Sequence, residues 1–328
     1  MNGEQVQPGE ATSRATLGGH IAIARFDHWT KNVFAAPGVL MAAKGATDLN
    51  SDTAWRVAIG FVSLGLIASS NYVLNELLDA PFDINHPTKR NRPVPAGRVN
   101  IPLAYVQWLL TMAGGIGLGM VVGTPFAITM AALWIMGIAY NVPPLRTKDK
   151  PFVDVLSESV NNPIRLLAGW FMVIPIASKT NFAPASLLLS YWMIGCYFMA
   201  LKRFAEYRTI GDDDRAAQYR KSFAFYNEHR LLIAVMFYGS SAMLFFGAFV
   251  MRYRLELIAS FPVVAWLMAV YLHLSFKPDS AVQAPENLYR ERSLVCAAIA
   301  CALIMGILMF VDMPFLHDIF QPTAPVAK

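Results

Sequence analysis

Asn75, Asp79 and Asp83 fall at four-residue intervals at the end of an apolar stretch, and His86, Lys89, Arg90 and Arg92 follow at once. On an α-helix, residues i, i+4 and i+8 share one face, each about a turn beyond the last. Two carboxylates and an amide oxygen in that row are hard donors of the kind Mg²⁺ prefers. That ion keeps several waters and completes its shell with a substrate's phosphate oxygens. The basic run has the charge to neutralise a diphosphate, arginine in bidentate fashion. Pro81 has no N–H to give the Leu77 carbonyl, so the helix is expected to kink or end near Asp83. Spacing alone leaves two readings open: a metal–phosphate site, or a solvated helix end carrying interfacial charges.

A second acid-and-base group lies in "MALKRFAEYRTIGDDDRAAQYRKS", from Met199 to Ser222. Lys202 and Glu206 are one helical turn apart, with Arg203 beside them. Glu206 has the chemistry to ligand a metal or to hold a substrate hydroxyl. Gly211 is expected to break the helix, which leaves Asp212, Asp213 and Asp214 on a solvated turn. A third group, Asp154, Glu158, Asn162 and Arg165, shares one face of an otherwise apolar segment. An ionisable side chain at mid-membrane costs about 2.5–3.5 kcal/mol on insertion scales. Arg165 is therefore expected to face a wet cavity or a carboxylate, and the sequence does not choose between a substrate role and helix packing.

The elements that must position these groups are membrane spans. The chain has 328 residues, 55% hydrophobic and 15% charged, with a mean hydropathy of +0.41. Apolar runs of about 20 residues recur along it, the length that crosses a bilayer. The expected architecture is all-α and polytopic, with about nine transmembrane helices near 27–43, 55–78, 101–122, 126–142, 152–176, 183–201, 231–250, 255–276 and 293–311. Residues 1–19 read as a disordered cytoplasmic tail, 20–318 as one transmembrane domain and 319–328 as a C-terminal tail. Most of the 27 Lys and Arg fall in the N-terminal tail and in alternate loops. That asymmetry puts the N-terminus and the acidic loops in the cytoplasm. Both main acid-and-base groups then lie at cytoplasmic ends of spans. Cys196, Cys296 and Cys301 sit in apolar stretches at no metal-ligand spacing. The basic residues form no recognition module, which excludes nucleic acid as a partner.

The strings "NELLDAPFD", "HPTKRNRP" and "AYNVPPLRTK" before "PFVDV" resemble the UbiA superfamily of intramembrane transferases. Asn75, Asp79 and Asp83 match its first acidic motif, while Glu76 stands where aspartate is usual. Five further pieces resemble its decaprenyl-phosphate phosphoribosyltransferase branch: "WTKNVF", "HPTKRNRPVPAG", "IRLLAG", "KRFAE" and "APENLYRER". The resemblance implies a nine-helix α fold and an integral protein of the bacterial inner membrane. It implies Mg²⁺ on Asn75, Asp79 and Asp83, a diphosphate-containing donor, and an isoprenoid lipid lying in a groove between helices. Asp79, Asp83 and Glu206 are the expected catalytic residues. Lys89, Arg90, Arg92, Lys202 and Arg203 are expected to stabilise the departing diphosphate. Lys31, Arg165 and Glu206 are expected to hold acceptor phosphate or sugar hydroxyls.

The chain departs from the superfamily where a second Asp-rich motif usually stands, because Lys202 and Glu206 occupy that place. This favours one strong metal site and extra positive charge, as phosphoribosyl transfer from phosphoribosyl diphosphate to a polyprenyl phosphate would require. The alternative within the class is prenyl transfer to an aromatic or other small acceptor. A transporter is the rival of another class, yet the chain shows no repeated halves with matching broken helices. A non-catalytic scaffold would not need acidic groups on two spans.

Overall fold

The computed structural model describes residues 15–46, 49–84, 89–176, 181–278, 280–283 and 285–320. Among them are thirteen α-helices, several 3₁₀ segments and no strand. The chain divides into two compact units, residues 1–146 with 168–177, and residues 147–167 with 178–328.

The first unit contains α1 (Leu17–Ile23), α2 (Ala36–Gly45), α3 (Ser51–Asp83), α4 (Ile101–Val122) and α5 (Thr124–Asn141). Asn50 caps α3 by accepting the Thr53 N–H at 3.0 Å. With 33 residues, α3 runs about 50 Å at 1.5 Å per residue, far beyond an apolar core about 30 Å thick. Its acidic last turns therefore project past the hydrocarbon. The helix continues through Pro81 and ends two residues later at Asp83. Lipid offers helices no hydrophobic drive to associate, so small residues and hydrogen bonds join them. Ser63 donates to the Gly115 carbonyl at 2.6 Å, and a Cβ on Gly115 would run into Ile67.

The second unit contains α6 (Val153–Ser159), α8 (Ala185–Ile210), α9 (Asp213–Tyr219), α10 (Glu228–Tyr253), α11 (Phe261–Ser275), α12 (Arg292–Phe310) and α13 (Pro314–Ile319). Helix α7 (Asn161–Val173) begins in this unit and ends in the first. Its core joins α6, α8, α10 and α11 through Val155, Cys196, Leu201, Ala234, Tyr238 and Leu274. Ser190 donates to the Ala242 carbonyl at 3.0 Å and Tyr197 to that of Met268 at 2.8 Å. Gly211 ends α8 with φ of 65°, a left-handed conformation that glycine adopts without a Cβ penalty.

Seven helices among the described residues are long and apolar enough to cross a membrane: Ser51–Asp83, Ile101–Val122, Thr124–Asn141, Ala185–Ile210, Glu228–Tyr253, Leu255–Ser275 and Arg292–Phe310. The expected spans at 27–43 and 152–176 take a different form. The first divides into a 3₁₀ segment, Phe26–Ala35, and the short α2. The second divides at Val160 into α6 and α7, with Asn161, Asn162 and Pro163 opening the latter. Hydropathy averaged over a window does not register such breaks. The tail expected at 1–19 also ends earlier, because Thr16 caps α1 through the Gly19 N–H at 3.0 Å. Residues 1–14 lie outside the described residues, as do 321–328, and Ile319 closes α13.

Candidate functional site

In the first unit the acidic face of α3 is met by two arginines. Asp83, buried, accepts Arg92 Nη1 at 2.7 Å through Oδ2. Asp79 accepts Arg146 Nη2 at 3.4 Å through Oδ1. Asn75 is half-buried on the same face. Arg146 also donates to the Asn141 carbonyl at 3.1 Å and lies over the Phe82 ring, 5.2 Å from its centroid. Its φ of 27° is a conformation that a non-glycine residue holds only where its surroundings fix it.

Glu76, the residue that departs from the acidic motif, does structural work. It is buried, and its Oε1 accepts the Val94 N–H at 3.0 Å. Val94 and Val99 pack with Ile23, Val73, Leu77 and Ala104. The turn at 92–98 is closed by Ala96 N–H to the Arg92 carbonyl at 3.0 Å and Arg98 N–H to that of Pro93 at 2.9 Å. Gly97 supplies the positive φ of 69°. The loop is thereby fastened to α3, and Arg92 reaches Asp83. Lys89 is half-buried and Arg90 exposed on the same loop, while His86 lies outside the described residues.

The start of this unit brings a second set of charges to α3. Trp29 Nε1 donates to Ser69 Oγ at 2.9 Å, and Ser69 Oγ donates to the Ala24 carbonyl at 2.7 Å. Gly65 leaves room for the indole, because a Cβ there would lie 2.6 Å from the ring. Thus pinned, the segment places Arg25 Cζ at 5.5 Å and Lys31 Nζ at 6.0 Å from the centroid of the Tyr72 ring.

In the second unit, Arg203 sits among three carboxylates. Its Nε is 3.1 Å from Asp154, Nη2 3.2 Å from Glu158 and Nη1 2.8 Å from Glu206. The side chain is 2% exposed. Arg203, expected to meet a departing diphosphate, is instead enclosed by protein carboxylates, and this corrects that expectation. Asp154 is fully buried and gathers donors from several elements: Arg203, Tyr226 Oη at 2.5 Å, Ser222 Oγ at 3.5 Å and, more distantly, Arg220 at 3.8 Å. Tyr226 also accepts the Phe152 N–H at 2.6 Å. Burial and the neighbouring Asp154 charge push its phenol well above the usual range, so it stays a donor. Lys202 is half-buried on α8, and Arg165 is half-buried on α7. Asp212 caps α9 by accepting the Arg215 N–H at 2.8 Å, and Asp213 accepts the Tyr207 hydroxyl at 2.5 Å. The acidic turn therefore has a local structural role.

Sequence reasoning did not single out Arg146, Arg25, Tyr72 or Glu76's loop anchor. "AYNVPPLRTK" contained Arg146, but nothing local tied it to Asp79, 67 residues away.

An all-helical polytopic membrane protein with an arginine-flanked acidic face on one long helix defines a class of intramembrane enzymes. The UbiA prenyltransferase family model matches residues 32–290, and the chain belongs to that family as a membrane transferase. It is 29% identical over 235 residues to a decaprenyl-phosphate phosphoribosyltransferase of Mycolicibacterium smegmatis, a match covering 70% of this chain and 69% of that protein. It is 30% identical over 216 residues to the Corynebacterium glutamicum protein so named, covering 63% of this chain and 60% of the relative. A UbiA homologue from Archaeoglobus fulgidus bound to GPP and Mg²⁺ shares the fold with a TM-score of 0.68 at 18% identity, over 89% of this chain and 98% of that one.

Proposed function

We propose that this protein transfers a phosphoribosyl group from phosphoribosyl diphosphate to the phosphate of a polyprenyl phosphate, with Mg²⁺ held by Asn75, Asp79 and Asp83. The observation that carries this reading is the charge arrangement. The acidic face of α3 offers two carboxylates and an amide flanked by Arg92 and Arg146, while the corresponding turn of α8 carries Lys202 and a single carboxylate, Glu206, paired with the buried Arg203. The likeness to phosphoribosyltransferases supports it.

The donor set suits the ion. Two carboxylates and an amide are hard oxygen ligands, and Mg²⁺ is commonly held by one or two carboxylates plus substrate phosphates. When bound, the ion supplies Lewis-acid stabilisation of the leaving diphosphate.

The chain's own residues do the rest. Arg92 and Arg146 fix the carboxylates and add positive charge where the diphosphate gathers negative charge. Lys89 and Arg90, on the same loop as Arg92, extend that charge. Arg203 is a positioning residue that holds Glu206 and Glu158, and Lys202, Glu206 and Arg165 are proposed as substrate-binding residues of the second unit. An acceptor phosphate oxygen bonds to ribosyl C1 as the C1–O bond to diphosphate breaks, and the diphosphate leaves with the electron pair. The acceptor oxygen is already anionic, so no side chain need remove a proton. The N-terminus and both acid-and-base groups are assigned to the cytoplasmic side of a bacterial plasma membrane, and residues 20–318 to one catalytic domain.

Purified protein in detergent with Mg²⁺ should move label from phosphoribosyl diphosphate into polyprenyl phosphate. Transfer only from a polyprenyl diphosphate to small acceptors would replace this reading with conventional prenyl transfer.

A further inference from the structure

Two cations crowd one ring at the inner end of the acidic face, and a hydrogen-bonded chain holds one of them. Arg25 Nη2 lies 2.5 Å from His28 Nε2, and His28 Nδ1 lies 2.7 Å from Asp27 Oδ2. A guanidinium only donates, so Nε2 must accept, and the ring proton sits on Nδ1 and is donated to Asp27. His28 is buried and meets the Tyr72 ring edge-on, with centroids 5.4 Å apart at 79°. Arg25 itself has a positive φ of 50°, a backbone conformation uncommon for a non-glycine residue. The guanidinium is thus fixed from both ends, by its backbone and by the imidazole.

Tyr72 precedes Asp79 by seven residues on the same α3 face, about 10 Å along the axis. One face of one helix therefore carries acidic donors at its outer end and an aromatic ring beneath Arg25 and Lys31 at its inner end. A metal-bound diphosphate suits the first end. The second suits another anion. Asp27 is 72% exposed, so solvent screens its charge. Arg25 and Lys31 together carry about two positive charges, which match the charge of about −1.5 to −2 on a phosphate monoester. Arg25 offers a fork and Lys31 a point charge.

We propose that Arg25 and Lys31 form the subsite for the acceptor's phosphate monoester, and that Asp27, His28 and Tyr72 are positioning residues that aim Arg25. This rests on the phosphoribosyl reading for the identity of the acceptor, and it makes the subsite the feature that selects an anionic lipid over a neutral acceptor.

The test is lipid binding by the purified full chain in detergent, read by native mass spectrometry with polyprenyl phosphate and with uncharged polyprenol of the same length. Wild type is expected to prefer the phosphate by about tenfold or more. Arg25→Met and His28→Leu are expected to lose that preference. His28→Gln is expected to keep it, because a Gln amide can accept from Arg25 and donate to Asp27. In turnover, the first two variants raise the KM for the lipid about tenfold and leave the KM for phosphoribosyl diphosphate at the wild-type value. Wild-type indifference to the phosphate overturns the proposal, as does a preference unchanged in Arg25→Met and His28→Leu. His28→Gln behaving as His28→Leu removes the positioning role. A preference that Arg25→Met abolishes, in a protein that transfers no phosphoribosyl label, leaves the subsite standing and removes the donor assignment instead.

Discussion

The Glu76 carboxylate accepts the Val94 N–H at 3.0 Å, 18 residues further along the chain. That bond fastens the loop bearing Arg92 to the helix bearing Asp83. Glu76→Leu leaves a buried amide without a partner, at a cost of about 1–3 kcal/mol. A lower melting temperature in detergent and a higher KM for the diphosphate donor are expected together. Glu76→Asp keeps the charge but shortens the reach by one methylene, and should fall between wild type and Glu76→Leu in both measurements.

Arg203 is enclosed by Asp154, Glu158 and Glu206. Removing one partner of a buried ionic group leaves the others uncompensated, at a cost of about 3–5 kcal/mol. Arg203→Leu should unfold well below wild type in a thermal melt. Lys at this position keeps the charge but cannot present a planar fork to three carboxylates. Arg203→Lys should therefore remain partly destabilised. If Arg203→Leu melts with wild type, the cluster does not hold this unit together.

Tyr226 joins the Asp154 carboxylate to the Phe152 N–H. Tyr226→Phe strips both of a partner with little change in shape. A loss of about 1–3 kcal/mol is expected, together with faster amide exchange at Phe152. Hydrogen exchange read by mass spectrometry checks it.

Arg146 reaches Asp79 from a loop with a positive φ. Arg146→Ala should lower the melting temperature less than Arg203→Leu does, because the Arg146 and Asp79 side chains keep 16% and 23% of their surface exposed while Arg203 keeps 2%. It should reduce kcat/KM by about tenfold to a hundredfold, the loss expected for one charge-assisted contact of about 1.5–3 kcal/mol. Steady-state kinetics at saturating Mg²⁺ measures this. A wild-type kcat/KM would assign Arg146 to packing.

The acidic face was legible because its members are neighbours at helical spacing within one short stretch. Asn75, Asp79 and Asp83 need only the 3.6-residue period to be placed together. Arg203's surroundings were not legible in the same way. Asp154 and Glu158 lie 49 and 45 residues before it, and no local pattern encodes that distance. "KRFAE" looks the same whether Arg203 faces solvent, substrate or carboxylates. The seven long helices follow from hydropathy, whereas the breaks at Val160 and in Phe26–Ala35 depend on hydrogen-bond geometry within an apolar run. Glu76 presents as a conservative change in a motif. Its anchoring role appears only when the Val94 amide arrives beside it.

The central claim is that the α3 face holds the metal through which the diphosphate binds. The most direct test is the Mg²⁺ dependence of transfer by wild type and Asp79→Asn, with melting temperatures recorded for both. The account predicts that Asp79→Asn folds as wild type and loses at least about a hundredfold in activity, on the order of 2.7 kcal/mol of transition-state stabilisation, with a raised Mg²⁺ requirement for what remains. Wild-type activity and wild-type Mg²⁺ dependence in Asp79→Asn would contradict it.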